Sequence, residues 1–259
     1  MTTEPGNSKS SIQVIERMMN LLDALARHAE AVNLKQLASE TGLHPSTAHR
    51  ILGVMVDSRI VDRIEPGLYR LGIRLLELGN LVKSRISIRQ VALPFMQQLH
   101  QDLHETVNLS VRQGDEVIYV ERTASNRSMM RVVQIIGTRA PLHITAVGKL
   151  FLLEDGPSAV REYAGRTGLP RYTSNTLSDL AALEQELERI KRDGYAYDNE
   201  EAERGVSCIG AAIHDDEGEL VAGLSVSAPS DRLSKAWAAK VRETGDQISR
   251  AIGFDPDRR

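Results

Sequence analysis

The spacing of the apolar residues changes near residue 105, and with it the kind of structure the chain can form. Before that point Ile12, Ile15, Met18, Met19, Leu22 and Leu25 recur at intervals of three and four, the signature of an amphipathic helix, with Ser10 and Ser11 placed to cap it. Beyond it, TVNLSVRQ, EVIYVERT and MMRVVQII alternate with period two, as half-buried strands do, and Gly114-Asp115 supplies a turn between the first two. A chain of 259 residues that writes helices first and an antiparallel sheet second is an α+β protein with room for two modest cores.

Within the helical part, Leu34 to Thr41 forms a short helix ended by Gly42, and Pro45 opens another running through Ile51, Leu52 and Met55. Ala38, Gly42 and Ala48 are small where two helices must cross closely at a tight turn, and Leu37, Leu43 and Ile51 supply the apolar contacts. The segment IVDRIEPGLYRLG then reads as a two-stranded hairpin turning at Pro66-Gly67. Helix-turn-helix plus hairpin is a winged module, assigned to residues 11–72, behind a disordered stretch over 1–10. Leu75, Leu76, Leu78, Leu81 and Val82 continue a helical spacing, so residues 73–87 are expected to form a linker helix, with a further helix from Ile88 to about Glu105 opening the second domain, 88–259. Later, Asp179 to Asp193 is a helix with Gly194 beyond its end, Tyr195 to Asn199, Gly205 to His214 and Glu219 to Ala228 are strands, and Lys235 to Ile252 is a last helix.

Composition narrows the function. Aromatic residues make up only 4% of the chain, too few for a base-stacking or sugar-lined surface, and no apolar run approaches the ~18 residues of a membrane span. A start of MTTEPGNSKS lacks the apolar core of a secretion signal, which points to the cytoplasm. The single cysteine, Cys208, excludes an internal disulfide and a thiolate zinc cluster. Charge divides unevenly: residues 1–90 hold 12 Lys and Arg against 9 Asp and Glu, and the other 169 hold 20 against 26, so the first third is the part suited to a polyanion.

The helix opened by Pro45 presents Ser46, Thr47, His49 and Arg50 near its N-terminal end, groups that reach phosphate oxygens and base edges in a major groove. Arg63 and Arg70 in the hairpin, with Arg59 beside it, are placed to hold the DNA backbone. A merely solvated three-helix bundle would show the same polar face, and the hairpin argues against it.

In the second part, GTRAPLHITAVGKL ends a strand and starts a helix at Thr145, where the first amides have no helical acceptor and favour an anion. Ala146 and Gly148 are small enough to let one approach. Asp198, Cys208 and the pair Ser225 and Ser227, which share one strand face, add polar groups amid apolar strands, a pattern suited to a small polar ligand. Cys208 also reads as a small buried hydrophobe, or, with His143, as the nucleophile of a thiol-dependent enzyme. His100 and His104 lack the glutamate of a zinc protease motif and read as an exposed helix face, and GTRAPLHITAVGKL fails as a phosphate loop because Leu150 follows Lys149 and His143 stands where its first glycine belongs. No metal, nucleotide or other cofactor is implied.

The order LKQLASETGLHPSTAHRIL, YRLGIRLLELG, GTRAPLHITAVGK, DGYAYDNEEAERGVSCIGAAI and LSVSAP, spread over Ile12 to Phe254, resembles the IclR family of bacterial transcriptional regulators. The resemblance implies an N-terminal winged helix-turn-helix joined by a linker helix to a GAF-like antiparallel-sheet effector domain, a homodimer that pairs into a tetramer, and control of operator binding by a small organic acid, more often as repressor than activator. Carried over from members that bind glyoxylate- or pyruvate-like acids, the effector site is Ala146, Val147, Asp198, Cys208, Ser225 and Ser227; the chain departs from the family at Ala212, where members often have proline. Two other classes remain beside it, an enzyme centred on Cys208 and an architectural DNA binder without a ligand.

Overall fold

The computed structural model describes residues 7–83, 86–123 and 136–256. It divides into two compact units, Met1–Arg85 and Ile86–Arg259.

In the first unit, helix α1 (Asn7–Ala26) leads through β1 (Val32–Asn33) to α2 (Leu34–Thr41) and α3 (Pro45–Asp57). Helix α1 begins earlier than the serine cap suggests, so residues 7–10 are helical rather than disordered, and 1–6 lie outside the described residues. Local chemistry sets the turn between α2 and α3. Asn33 caps α2 by accepting from the Gln36 amide, and Gly42 ends it in the left-handed region at φ 66°. His44 caps α3 ahead of Pro45. The wing is β2 (Val61–Glu65) and β3 (Leu68–Leu71), with β1 on the other side of β3, and Leu21, Leu37, Leu52, Met55 and Tyr69 form the core beneath. Helix α4 (Ile73–Lys83) buries none of its own residues. The expected helix over 73–87 is therefore shorter: Ile86 and Ser87 are not helical, and Ser87 has extended backbone at the head of the next helix.

The second unit contains α5 (Ile88–Leu103), β4 (Thr106–Gln113), β5 (Glu116–Thr123) and β6 (Arg139–Pro141), then α6 (Ala146–Thr167), α7 (Leu180–Asp193), β7 (Ala196–Asn199), β8 (Val206–His214), β9 (Leu220–Pro229) and α8 (Ala238–Ala251). Among the described residues its six strands run antiparallel in the order β6-β5-β4-β9-β8-β7. The strand expected over MMRVVQII falls mostly outside the described residues, and Ile136, its last residue, lies in a turn. Helix α6 continues past the segment read from sequence, bending at Gly156, whose φ of 82° is not helical, before Pro157 restarts it.

Each sheet face carries its own core. Val107, Leu109, Ile209, Ala211, Leu224 and Val226 pack with α5 and α8, whereas Val117, Ala196, Val206 and Cys208 pack with α6 and α7. On this second face the first turn of α6 lies directly on β8 and β9. A Cβ at Gly223 would come 2.3 Å from Val147, one at Gly210 would come 3.0 Å from Ala146, and one at Gly148 would come 2.2 Å from the Leu142 carbonyl.

Replacing Gly148 with alanine should therefore cost about 1–3 kcal/mol through overpacking. Gly165→Ala, later in α6 with nothing within 4 Å of the added methyl, should be neutral or stabilising by up to about 1 kcal/mol. Urea unfolding of both variants checks the contrast; equal effects would mean that the helix start does not depend on that close approach.

Candidate functional site

The contact made possible by these glycines leaves a cavity of about 180 Å³ between the start of α6 and the sheet. Its wall includes Ala146, Val147, Asp198, Cys208 and Ser225, together with Ser110 and Tyr119 from β4 and β5. Thr145 caps α6, its hydroxyl accepting from the Gly148 amide at 3.0 Å. The amides of Ala146 and Val147 precede the first intrahelical donor, and both residues face the cavity. Amides without helical acceptors at a helix start favour an anion.

Five of the six effector residues expected from sequence come together on this wall. Ser227 stands one layer back: its hydroxyl meets the Cys208 thiol at 3.1 Å and accepts from the Asn108 amide at 3.1 Å. Asp198 and Cys208 are register partners across β7 and β8. Burial, reinforced by the charge of Glu201, pushes the Asp198 carboxyl up to about 7, while Lys149 pulls the other way. The raised value favours the uncharged form of Asp198 toward neutral pH, which weakens its repulsion toward an anion.

That balance depends on a buried cation that sequence reading passed over. Lys149 is 0% exposed and its ammonium donates to both Glu201 carboxylate oxygens, at 2.7 and 2.9 Å, and to the Tyr197 carbonyl. Glu201 in turn accepts from the Asn199 amide, and the Glu201 amide donates to Asp198 at 2.8 Å. The pair Lys149–Glu201 is committed to itself, leaving Asp198 as the buried acid without its own cation. A lysine behind a glycine carries no signal in sequence that it will be sealed by a strand carbonyl and two acids.

The cavity holds no activated thiolate. Burial and the neighbouring Asp198 raise the Cys208 thiol well above its usual range. His143 is also occupied elsewhere. Its Nε2 faces the Pro170 carbonyl at 3.1 Å and must carry the proton there, so Nδ1 accepts from the Tyr163 hydroxyl at 2.8 Å, and burial lowers its basicity. His143 is therefore not the base that the enzyme alternative centred on Cys208 requires. His100 also differs from the expected exposed face, since it is half-buried with Nδ1 2.6 Å from the Glu105 carbonyl. Among the described residues no cluster has the ligands for a metal ion, and no helix is long and apolar enough to cross a membrane.

The wall also holds residues that sequence reading did not assign to the site, among them Arg139 and Glu203 and the pair Ser110 and Tyr119, which are register partners across β4 and β5. Ser110 is 0% exposed and its hydroxyl has no hydrogen-bond partner. An unmatched buried hydroxyl costs roughly 1–3 kcal/mol. The signal was present in TVNLSVRQ, where Thr106, Asn108 and Ser110 alternate with apolar residues, but that pattern reads as a solvent-facing strand until α6 is seen to cover it.

In the first unit, α3 buries Ala48, Ile51, Leu52 and Met55 and turns Ser46, His49 and Arg50 outward, with Thr47 half-buried. The Ser46 hydroxyl lies 2.8 Å from His44 Nδ1, which orders the start of the helix. Arg63 and Arg70 are exposed on the wing, Arg70 3.7 Å from Asp62, whereas Arg59 is held by Glu77 of α4 at 2.7 Å.

A winged helix-turn-helix in one unit and a polar cavity in the other define a DNA-binding regulator with a built-in ligand domain. The family model for the "Bacterial transcriptional regulator IclR C-terminal" region matches residues 81–250, and that for the "IclR helix-turn-helix domain" matches residues 14–65. The chain belongs to the IclR family of bacterial transcriptional regulators. It is 33% identical to the HTH-type transcriptional repressor AllR of Salmonella typhi over 98% of this chain and 94% of that protein. The repressor BlcR of Agobacterium tumefaciens has a similar structure, with a TM-score of 0.84 and 28% identity over 95% of this chain and 99% of that one. An IclR homologue from Microbacterium hydrocarbonoxydans solved with 4-hydroxybenzoate has a TM-score of 0.60 and 28% identity, covering 92% of this chain and 98% of that one.

In the native protein Cys208 should resist iodoacetamide at pH 8 and become reactive only on unfolding, as mass spectrometry of labelled protein would show. Rapid native labelling would restore the thiol-enzyme reading.

Proposed function

We propose that this chain is a cytoplasmic transcriptional repressor whose hold on an operator is controlled by a small organic acid bound at the start of α6. The observation that carries the reading is the cavity itself: two helix-start amides, the Ser225 hydroxyl and an Asp198 pushed toward its uncharged form converge in a chain that also bears a reading helix. The Microbacterium homologue, solved with an aromatic acid, supports the ligand class.

In this reading Arg50 and His49 address base edges, Ser46 and Thr47 the flanking phosphates, and Arg63 and Arg70 the backbone beside the wing. The operator-bound form is a homodimer, assembled further as a dimer of dimers. Helix α4 supports this: Leu76 is 58% exposed, Leu81 53% and Val82 61% on a helix with no buried residue, and a second copy would cover them. Two reading helices then meet half-sites about one duplex turn apart, ~34 Å, or a multiple of it. Effector control requires that the acid bind the operator-competent and incompetent arrangements with unequal affinity, transmitted through α4 and α5.

Arg50→Ala should weaken operator binding by about 1–3 kcal/mol in gel-shift titration while leaving acid binding intact; unchanged operator affinity would remove Arg50 from the interface. Affinity for a carboxylate should fall as pH rises from 6 to 8, because Asp198 loses its proton across that interval and then repels the ligand. Calorimetric titration of Asp198→Asn should show that fall flattened, and an equally steep fall in the variant would place the titrating group elsewhere.

A further inference from the structure

We infer that Lys149, with its partner Glu201, is the positioning residue of the cavity: the pair fixes how far the start of α6 stands from the end of β7 and the turn beyond it. This rests on the acid-sensing reading above and deepens it, since that spacing decides whether a ligand can meet both walls at once.

The two walls belong to separate stretches of chain. Thr145, Ala146 and Val147 line the cavity from the start of α6, whereas Asp198, Ala202 and Glu203 line it from β7 and the following turn. Lys149 stands in the first turn of α6, its amide bonded to the Thr145 carbonyl at 3.1 Å. Its ammonium crosses to the other side, where it meets the carbonyl of Tyr197, next to Asp198, and both carboxylate oxygens of Glu201. The far end of this tie is anchored as closely. The Asn199 amide donates to the Glu201 carboxylate at 3.2 Å, and the Asn175 side chain donates to the Asn199 carbonyl at 3.0 Å. Glu200 then lies in the left-handed region at φ 58°, a conformation that a non-glycine residue keeps where its surroundings enforce it. Thr173 and Thr176 do so by donating to the Glu200 and Glu201 carbonyls, each at 2.7 Å. The Glu201 amide donates to the Asp198 carboxylate, so Asp198 is aimed by the residue that Lys149 grips.

Stability alone does not account for the pair. Taking two charges out of water costs about what their attraction returns, so apolar side chains of similar volume would fill the space as well. What they lack is direction: a methyl group cannot bond the Tyr197 carbonyl or the Asn199 amide, and the end of β7 would shift relative to α6. Neither Lys149 nor Glu201 lines the cavity, and their side-chain polar atoms are spent on each other and on the backbone. The pair also sets the field at Asp198. Facing that carboxyl are Glu201 from the turn, Lys149 from α6, Cys208 on β8 and Tyr119 on β5, with Glu186 of α7 3.6 Å from the Lys149 ammonium and Arg139 and Glu203 on the cavity wall. Glu201 pushes Asp198 toward its uncharged form and Lys149 opposes it.

The test titrates the full chain calorimetrically with glyoxylate, pyruvate and 4-hydroxybenzoate and carries the tightest binder to the variants. Lys149→Met/Glu201→Leu exchanges the pair for apolar groups, and the backbone it releases opens onto the groove that Tyr197 and Asn199 line beside β7. It should melt above the single Lys149→Met, in which the Glu201 charge is stranded, yet bind the acid at least about ten-fold more weakly than wild type. Glu201→Gln keeps an oxygen for Lys149 without the charge. It should retain wild-type affinity at the acid end of the pH profile, while the fall in affinity moves to lower pH because Asp198 has lost a negative neighbour and kept Lys149; a pair that only packs would leave the profile in place. A double variant that binds the acid as wild type does, one that melts below Lys149→Met, or an unmoved profile in Glu201→Gln overturns the inference and leaves the acid-sensing reading standing. A wild type that binds none of the three acids overturns both.

Discussion

The seating of a helix start directly on the backbone of a sheet governs the second unit. Side chains normally hold a helix and a sheet apart, and here Gly210 and Gly223 remove that spacer beneath Ala146 and Val147. Gly148 does the same toward the Leu142 carbonyl on the preceding turn. The approach brings two amides without helical acceptors within reach of polar strand residues, at a wall where an anion would be drawn to them.

Electrostatics in the same region follow from one cation shared unequally. Lys149 is spent on Glu201, with Glu186 a more distant partner at 3.6 Å, and Asp198 receives a backbone amide instead of a positive charge. The buried pair also fixes the turn after β7, since the Asn199 amide is bonded to the Glu201 carboxylate and Thr176 donates to the Glu201 carbonyl at 2.7 Å. The arrangement that holds Asp198 in place, by spending the cation on Glu201, is thereby the one under which its carboxyl keeps a proton to higher pH than an ordinary aspartate.

Legibility followed the range of the determinant. The ends of α2 and α3, the wing turn and the caps of α7 rest on Gly42, Pro45, Gly67, Asp179 and Gly194, each acting within a few residues, and all could be read directly. The pairing of β4 with β9 joins segments more than a hundred residues apart and has no local signature. For the site, Asp198, Cys208 and Ser225 stood out as polar groups in apolar strands, but whether a polar strand face meets solvent or a helix is decided elsewhere in the chain. Ser110 was lost for that reason, Ser227 proved to support Cys208 rather than line the cavity, and Lys149 gave no hint of its burial. Helix α4 was read too long, for Ile86 and Ser87 are not helical, because Ile86 and Ile88 continue the apolar spacing after the backbone has left the helix.

The two faces of the six-stranded sheet carry unequal burdens. One is filled by aliphatic residues from β4, β8 and β9 against α5 and α8, and it shares no side chain with the cavity. On the proposed reading, substitutions at Ser110, Tyr119 or Ser225 alter recognition without touching that core, so a lineage can acquire a new effector by drift on one side while the other keeps the scaffold foldable.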